Sequence, residues 1–160
     1  MLLKARNKFT GIVGSEPDTS YILNELSNAD LFLYFGHGGC EKLVTARDIS
    51  KLAKNRHVPT VLLFGCSSGF LKPNGRYDPH GIALDYLAAG SPAVLGNLWD
   101  VTDIDIDKYA KSLLGSSGIF EHSKLSLCEA ASLARDVCLL PYLVGASPVI
   151  YGLPLYISKS

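Results

Sequence analysis

The chain has 160 residues, of which 48% are hydrophobic and 19% charged, so it is long enough to bury the core of one globular domain. Its 15 basic and 15 acidic side chains cancel, which excludes a charge-driven affinity of the whole chain for nucleic acid or anionic membranes. No apolar run approaches the roughly 18 to 20 residues that span a bilayer, and the N-terminus lacks the apolar region of a signal peptide, so we expect an intracellular protein without a membrane partner.

The cysteines are predicted to be free thiols. They are Cys40, Cys66, Cys128 and Cys138, and no two of them have the Cys-x-x-Cys spacing of a metal site. In a reducing compartment such thiols rarely form disulfides. No metal or other cofactor is therefore predicted.

The N-terminal part of the chain, residues 1–28, gives the weakest signal. Its apolar patch at residues 9–13 is compatible with a short strand or an arm. Asp18 or Thr19 can cap a helix that ends near Ser27 and carries a helical apolar stripe.

A strand, a helix and a second strand follow. The apolar runs 31–35 and 61–64 predict two buried strands. Between them, Thr45 can cap a helix over residues 46–55, with Ala53 among its inward residues. Because crossovers of this kind are right-handed and short, the two strands should be parallel neighbours.

These two strands place a histidine and a cysteine at the same edge of the sheet. His37 lies among glycines after the first strand, and Cys66 follows Gly65 after the second. Open α/β sheets bind their ligands at the carboxyl ends of the strands. The pair predicts a cysteine nucleophile with a histidine base, and the backbone amides of Gly38 and Cys66 are predicted to hold the oxyanion.

Other interpretations of these residues remain open. Most lone cysteines in apolar surroundings are buried structural thiols, and His37 could be a hydrogen-bonded core residue. Cys40 is a rival nucleophile because it lies on the same loop as His37, but it lacks the strand-to-turn setting. The other histidines are expected at the surface: His57, His80 and His122.

The next segment predicts a loop, a helix and a third strand. Residues 72–80 form a polar loop beside the cysteine, and residues 81–89 a helix. The third strand, residues 93–98, brings Trp99 to the same edge as Cys66. Trp99 is predicted to form a wall of the substrate cleft, although a core role is nearly as compatible with its position.

Two more helices complete the pattern. Thr102 can cap a helix over residues 103–114, and residues 125–138 predict another, with Val137 at core spacing. The tail from Pro141 onward predicts a short strand or an ordered arm.

The helix after Thr102 is predicted to supply a pocket for arginine. Asp103 and Asp107 are four residues apart and share a face that should lean over the sheet edge, whereas Asp105 should point away. Two carboxylates held together favour a guanidinium partner. The alternative is that these acids only stabilise the helix N-terminus through its dipole.

Taken together, the motifs resemble the protease domain of separase. They are Phe-Gly-His-Gly-Gly, Gly-Cys-Ser-Ser-Gly, Ala-Gly-Ser-Pro-Ala, the run from Asn97 to Asp107 and the closing segment 147–154. Bacterial CHAT domains share the catalytic motifs but not usually the Trp-Asp-Val-Thr-Asp run. The resemblance implies a caspase-like fold: a three-layer α/β/α sandwich with a mainly parallel sheet. It divides the chain into an N-terminal arm and helix, residues 1–28, and one protease domain, residues 29–160, that lacks preceding strands.

The resemblance also implies a function. Separases are cysteine endopeptidases that cut the kleisin subunit of cohesin after arginine at anaphase. For this chain, the resemblance would imply a securin-like inhibitor, a nuclear and cytoplasmic location, and no direct contact with nucleic acid. It assigns the nucleophile to Cys66 and the base to His37, and it favours Asp107 as the main contact of the arginine. Separases carry a long helical region before this domain, so we expect a fragment or a reduced relative. The alternatives are a catalytically idle caspase-like docking module and a CHAT-type protease with other substrates.

Overall fold

The computed structural model describes residues 2–5, 9–54, 57–119 and 123–159. Its elements, in chain order, are β1 (Leu2–Ala5), α1 (Thr19–Asn28), β2 (Leu31–Tyr34), α2 (Ala46–Leu52), β3 (Thr60–Leu63), β4 (Lys72–Asn74), β5 (Tyr77–His80), α3 (Ile82–Ala88), β6 (Ala93–Asn97), α4 (Asp103–Ser116), α5 (Leu127–Leu133), a 3₁₀ helix (Ala134–Val137), β7 (Pro148–Gly152) and β8 (Tyr156–Lys159). The apolar patch at residues 9–13 lies outside these elements. None of the described helices is long and apolar enough to cross a bilayer.

The central sheet has the strand order β2-β3-β6-β7. The pairs β2–β3 and β3–β6 are parallel, as predicted, and β7 runs antiparallel to β6. Every residue of β3 is buried, which explains why its sequence is a continuous apolar run rather than an alternating one. The described residues also form two small sheets, β1 with β8 and β4 with β5, and an isolated antiparallel bridge between Ser126 and Tyr156.

Helices cover both faces of the central sheet. On one face, Leu62 and Leu95 pack with α4, α5 and the 3₁₀ helix. On the other, Val61, Leu63 and Val94 pack with α1, α2 and α3. The alternation of neighbouring residues between two cores gives the three-layer α/β/α sandwich with a mainly parallel sheet that the sequence predicts.

Two of the capping residues predicted from the sequence, Thr45 and Thr102, cap their helices. Asp18 precedes α1 without a side-chain cap bond, and the Thr19 hydroxyl donates to the Leu43 carbonyl instead. The Thr45 hydroxyl accepts a hydrogen bond from the Asp48 amide at 3.3 Å, and the Asp48 carboxylate accepts one from the Thr45 amide. Thr102 accepts from the Asp105 amide at the start of α4. Ser126, which the sequence analysis placed inside a helix, instead begins α5 with a capping box of the same kind. These bonds satisfy amides that a helix leaves without a partner in its first turn.

The polar loop predicted at residues 72–80 is a hairpin instead. β4 and β5 pair antiparallel across a turn at Gly75, which has a φ of 60°. All residues of both strands are exposed. The sequence lacked the apolar alternation that marks a strand because neither face of this hairpin is buried.

Two predicted helices are shorter than expected. α2 ends at Leu52, so Ala53 is exposed rather than inward, and the predicted end at Asn55 falls outside the described residues. α5 gives way to a 3₁₀ helix at Ala134, which leaves Val137 41% exposed. Beyond the 3₁₀ helix, the amide of Leu139 donates to the Asp105 carboxylate of α4 at 2.9 Å, so the chain there is bonded to α4 rather than continuing as a helix.

Candidate active site

A pocket of about 370 Å³ opens at the carboxyl ends of β2 and β3. We call it the edge pocket, and its lining residues are Phe35, Gly36, His37, Phe64, Gly65, Cys66, Val101, Asp103, Ile106 and Asp107. The structure thus brings the predicted histidine, cysteine and two of the predicted carboxylates to one cavity. They come from three segments that lie far apart in the sequence.

The loop of residues 36–39, here the His loop, is fixed by its neighbours. The Tyr34 hydroxyl donates to the carbonyl of His37 at 3.0 Å. The Gly39 amide donates to the Glu41 carboxylate at 2.7 Å. His37 itself is exposed, so its backbone is held while its ring remains accessible at the pocket.

Gly65 allows the His loop to touch the turn that carries the cysteine. A Cβ on this residue would collide with the carbonyl oxygens of Gly36 and Gly38. It would also come within 2.9 Å of the Gly38 amide nitrogen. The two amides predicted to hold an oxyanion, those of Gly38 and Cys66, therefore lie on segments in direct backbone contact.

The turn of residues 65–69, here the Cys turn, is fastened to the end of β6. The Ser68 hydroxyl donates to the Leu63 carbonyl at 3.0 Å and accepts from the Asn97 amide at 3.0 Å. The Asn97 side chain donates to the Gly65 carbonyl at 3.0 Å. The sequence analysis assigned no role to Asn97, and its position at the end of a buried strand next to the cysteine strand is the signal that could have found it.

Two cysteines were candidates for the nucleophile, and they differ in exposure. Cys66 is partly exposed and lines the edge pocket. Cys40 is only 1% exposed and points into the core beside α3. Burial, with a smaller contribution from the Glu41 charge, raises the pKa of Cys40 to about 11. Cys40 is therefore a protonated, shielded thiol near neutral pH.

The thiol of Cys66 contacts the backbone of the segment before α4. Its Sγ donates to the carbonyl of Val101 at 3.3 Å and accepts from the amide of Val101 at 3.5 Å. The phenyl rings of Phe35 and Phe64 stack at 4.7 Å beside it. The cysteine thus lies between an aromatic wall and a polar backbone segment.

The acids of α4 divide at the edge pocket as predicted. Asp103 and Asp107 are exposed and line the edge pocket, as their spacing predicts. Asp105 does not line it, but it is buried within the protein, which the sequence analysis did not predict. Asp105 is 2% exposed, and its carboxylate accepts from the Leu139 amide at 2.9 Å. The buried stripe of α4 includes Tyr109, one turn further along, so it is wider than the sequence analysis assumed.

Trp99 is not among the described residues that line the edge pocket. Its indole N–H donates to the carbonyl of Leu143 at 3.0 Å, and 38% of the residue is exposed. Of the other histidines, His57 and His80 are exposed as expected, and His122 lies outside the described residues. Within those residues, no group of three or more His, Cys, Asp or Glu side chains could hold a metal ion.

Comparison with known proteins identifies relatives over most of the chain. The family described as "Separin, protease domain" matches residues 1–106. The chain is 45% identical to separin from Schizosaccharomyces pombe over 152 residues, which cover 92% of this chain and 8% of that protein. It is 40% identical to separin from Saccharomyces cerevisiae over 168 residues, covering 95% of this chain and 10% of that protein.

A solved structure shares the fold. The crystal structure of the Saccharomyces cerevisiae separase–securin complex at 2.6 Å resolution superposes with a TM-score of 0.81 and 44% sequence identity. The match covers 88% of this chain and 10% of that one. The chain therefore spans about a tenth of the length of the relatives it matches.

Proposed function

Because this chain belongs to the separin protease-domain family, we propose that it is a cysteine endopeptidase of separase type, with Cys66 as the nucleophile and His37 as the base. The observation that carries this proposal is that His37, Cys66 and the carboxylates of Asp103 and Asp107 line one pocket. A nucleophile, a base and an anionic specificity site are the parts that arginine-directed peptide hydrolysis needs.

The reaction is acyl transfer through a thioester. His37 takes the proton of the Cys66 thiol, and Sγ attacks the carbonyl carbon of the scissile bond. The amides of Gly38 and Cys66 hold the resulting oxyanion. As the C–N bond breaks, His37 returns the proton to the departing amine. Water, deprotonated by His37, then releases the acyl group and restores the thiol.

Arginine before the cut bond is the substrate that the edge pocket favours. The pocket has two exposed carboxylates, which repel each other until a cation lies between them. A guanidinium can bind a carboxylate through two parallel hydrogen bonds, which a lysine ammonium cannot. Asp107 is proposed as the main contact and Asp103 as the second.

Membership of the family supports a proposal for the biological role. The related Saccharomyces cerevisiae separase has been solved in complex with securin. We assign to this chain a securin-like inhibitor and, as substrate, the kleisin subunit of cohesin, which is cut at anaphase to release sister chromatids. The protein would act in the nucleus and the cytoplasm.

Cleavage of a fluorogenic peptide with arginine before the cut bond tests the proposal. We expect Cys66→Ser and His37→Ala each to reduce kcat by about 10³-fold or more, since nucleophile and base act as a unit. Cys128→Ser is the matched control, because Cys128 is exposed on α5 and away from the pocket. Normal turnover by Cys66→Ser would refute the assignment. A folded protein that neither cleaves the peptide nor reacts with an arginine ketone would support the idle docking module instead.

A further inference from the structure

The short connection between β6 and α4 controls where the Cys66 thiol points. Within it, the carbonyl and the amide of Val101 make the two hydrogen bonds to Sγ, at 3.3 and 3.5 Å. A thiol bonded twice to the backbone of one residue takes its position from that residue. The placement of Val101 therefore bears on where the thiol lies.

The residues just before Val101 are bonded to Ser67 of the Cys turn. The hydroxyl of Ser67 donates to the carboxylate of Asp100 at 2.7 Å, and the amide of Ser67 donates to the carbonyl of Trp99 at 3.2 Å. Ser67, which follows Cys66, and Asp100, which precedes Val101, are thereby joined through their side chains. We call the Ser67–Asp100 pair the clasp.

The backbone conformation of Ser67 indicates that neighbouring contacts hold the Cys turn in place. Its φ is 52°, in the left-handed region that residues with a Cβ rarely adopt. Such a conformation costs free energy and persists where neighbouring contacts hold it, which happens most often at functional sites. The clasp and the bond to Trp99 are contacts that can hold it.

The far side of the connection is anchored independently. The amide of Leu98 donates to the Ser147 carbonyl at 3.0 Å, and the indole of Trp99 donates to the Leu143 carbonyl at 3.0 Å. These bonds fix the position at which the chain leaves β6. Loss of the clasp would therefore loosen the connection near Val101, while its beginning at Leu98 and Trp99 stays bonded.

We propose that Ser67 and Asp100 are positioning residues that orient the Cys66 thiol for attack through the backbone of Val101. The proposal rests on the proposed function, since it needs Cys66 to be the nucleophile. Ser67 and Asp100 are both exposed, so their hydrogen bond contributes little to global stability. Loss of the clasp should affect the chemical step far more than folding or binding.

An arginine acyloxymethyl ketone separates these effects. The thiolate of Cys66 displaces the carboxylate from the ketone's methylene carbon, which forms a thioether, so the maximal inactivation rate reports thiol orientation and the half-saturating concentration reports binding. We expect Ser67→Ala and Asp100→Ala each to lower the maximal rate by about 10-fold to 100-fold, the effect of a small misplacement of a reacting group. The half-saturating concentration and the thermal unfolding midpoint should stay near those of the unsubstituted protein.

Three further variants test the mechanism. Asp100→Asn keeps an oxygen that can accept from Ser67 and should retain most of the rate. The double variant Ser67→Ala/Asp100→Ala should be no slower than the slower single variant, because the two act through one bond. Thr45→Ala is the control: Thr45 donates to Asp48 at 2.7 Å in a similar hydroxyl–carboxylate pair at the start of α2, outside the edge pocket, so its loss should leave inactivation unchanged.

Iodoacetamide labelling of Cys66, quantified by mass spectrometry, completes the test. This small reagent needs no defined approach, so its rate should be similar in the unsubstituted protein and the clasp variants. An unchanged ketone rate in both single variants, an additive double variant, or an Asp100→Asn variant as slow as Asp100→Ala would overturn the proposal. If the ketone fails to label the unsubstituted protein while iodoacetamide labels it, the proposed function is wrong. The proposed role of the clasp is then wrong as well, because it requires Cys66 to be a nucleophile.

Discussion

Asp103 and Asp107 face the edge pocket from the first turns of α4, and we predict that they share a bound guanidinium unequally. Asp107→Ala should lower kcat/KM on arginine peptides by about 10-fold to 100-fold, since a hydrogen bond to a charged group contributes about 1.5 to 3 kcal/mol. Asp103→Ala should lower it less. Steady-state kinetics on arginine peptides measures both effects, and citrulline peptides, which lack the charge, serve as the reference. Normal cleavage of arginine peptides by Asp107→Ala would place the pocket on other residues.

Asp105, between these two, has a structural role. Its carboxylate is buried and accepts a hydrogen bond from the Leu139 amide. We predict that Asp105→Ala lowers the free energy of unfolding by about 1 to 3 kcal/mol, because the hydrogen bond between its buried carboxylate and the Leu139 amide is lost. Urea unfolding followed by circular dichroism measures the loss, and Asp105→Asn, which keeps an acceptor oxygen, should retain more of the stability. Equal stability of Asp105→Ala and the unsubstituted protein would contradict this role.

Cys40 and Cys66 differ in how accessible their thiols are to reagents in solution. Burial raises the pKa of Cys40 to about 11, so at pH 8 its thiol stays protonated and is a poor nucleophile. We predict that iodoacetamide labels Cys66 much faster than Cys40 at pH 8, and that Cys40 labelling rises only as the pH approaches its pKa. Peptide mass spectrometry at a series of pH values measures both rates, with exposed Cys128 as an internal reference. Equal labelling of Cys40 and Cys66 in the folded protein would show that the buried position of Cys40 is incorrect.

At the scale of elements, the contact between the His loop and the Cys turn depends on Gly65. Any larger residue collides with backbone carbonyls of the opposite segment, which cannot move aside like the end of a flexible side chain. We predict that Gly65→Ala abolishes peptide cleavage and lowers the thermal unfolding midpoint.

Gly115→Ala is the matched control for this substitution. Gly115 lies in α4 with nothing near its missing Cβ, so alanine there should stabilise the protein by roughly 0.5 to 1 kcal/mol and leave activity intact. Differential scanning calorimetry and peptide cleavage on both variants make the comparison. An active, fully stable Gly65→Ala protein would contradict the close approach of the two segments.

The sequence predicts those elements whose signal is local. β2, β3 and β6 are mainly apolar runs, and Thr45 and Thr102 precede the helices they cap. The hairpin of β4 and β5 and the early end of α5 were missed. The hairpin buries neither face, and the chain that follows α5 and its 3₁₀ helix bonds to a carboxylate of α4 that is distant in the sequence, so no local pattern indicates either outcome.

The residues of the candidate site also divide into those with a local sequence signal and those without one. His37 and Cys66 could be predicted because each follows a buried strand, and parallel strands bring their carboxyl ends together. Ser68 and the clasp could not, because their partners lie about 30 residues away and depend on the register of β3 against β6. Asn97 could be noticed from its position at the end of a predicted strand, but its bond to the Cys turn depends on the same register. The burial of Asp105 could not be predicted, because its partner Leu139 is 34 residues away in the sequence.

At the scale of the whole molecule, the predicted caspase-like sandwich and the resemblance to the separase protease domain are both confirmed. The solved separase structure superposes on most of this chain, and the family match extends from residue 1 to residue 106. Two helical layers bury the sheet on both faces, so its carboxyl edge remains the exposed surface on which loops of separate segments converge. The edge pocket lies there.

A crystal structure of the protein after reaction with an arginine acyloxymethyl ketone tests the central claim most directly. We predict a thioether on the Sγ of Cys66, the ring of His37 beside the attached carbon, and the guanidinium of the arginine against the carboxylates of Asp107 and Asp103. An adduct on Cys40 or Cys128, or an arginine side chain directed away from both carboxylates, would contradict the account.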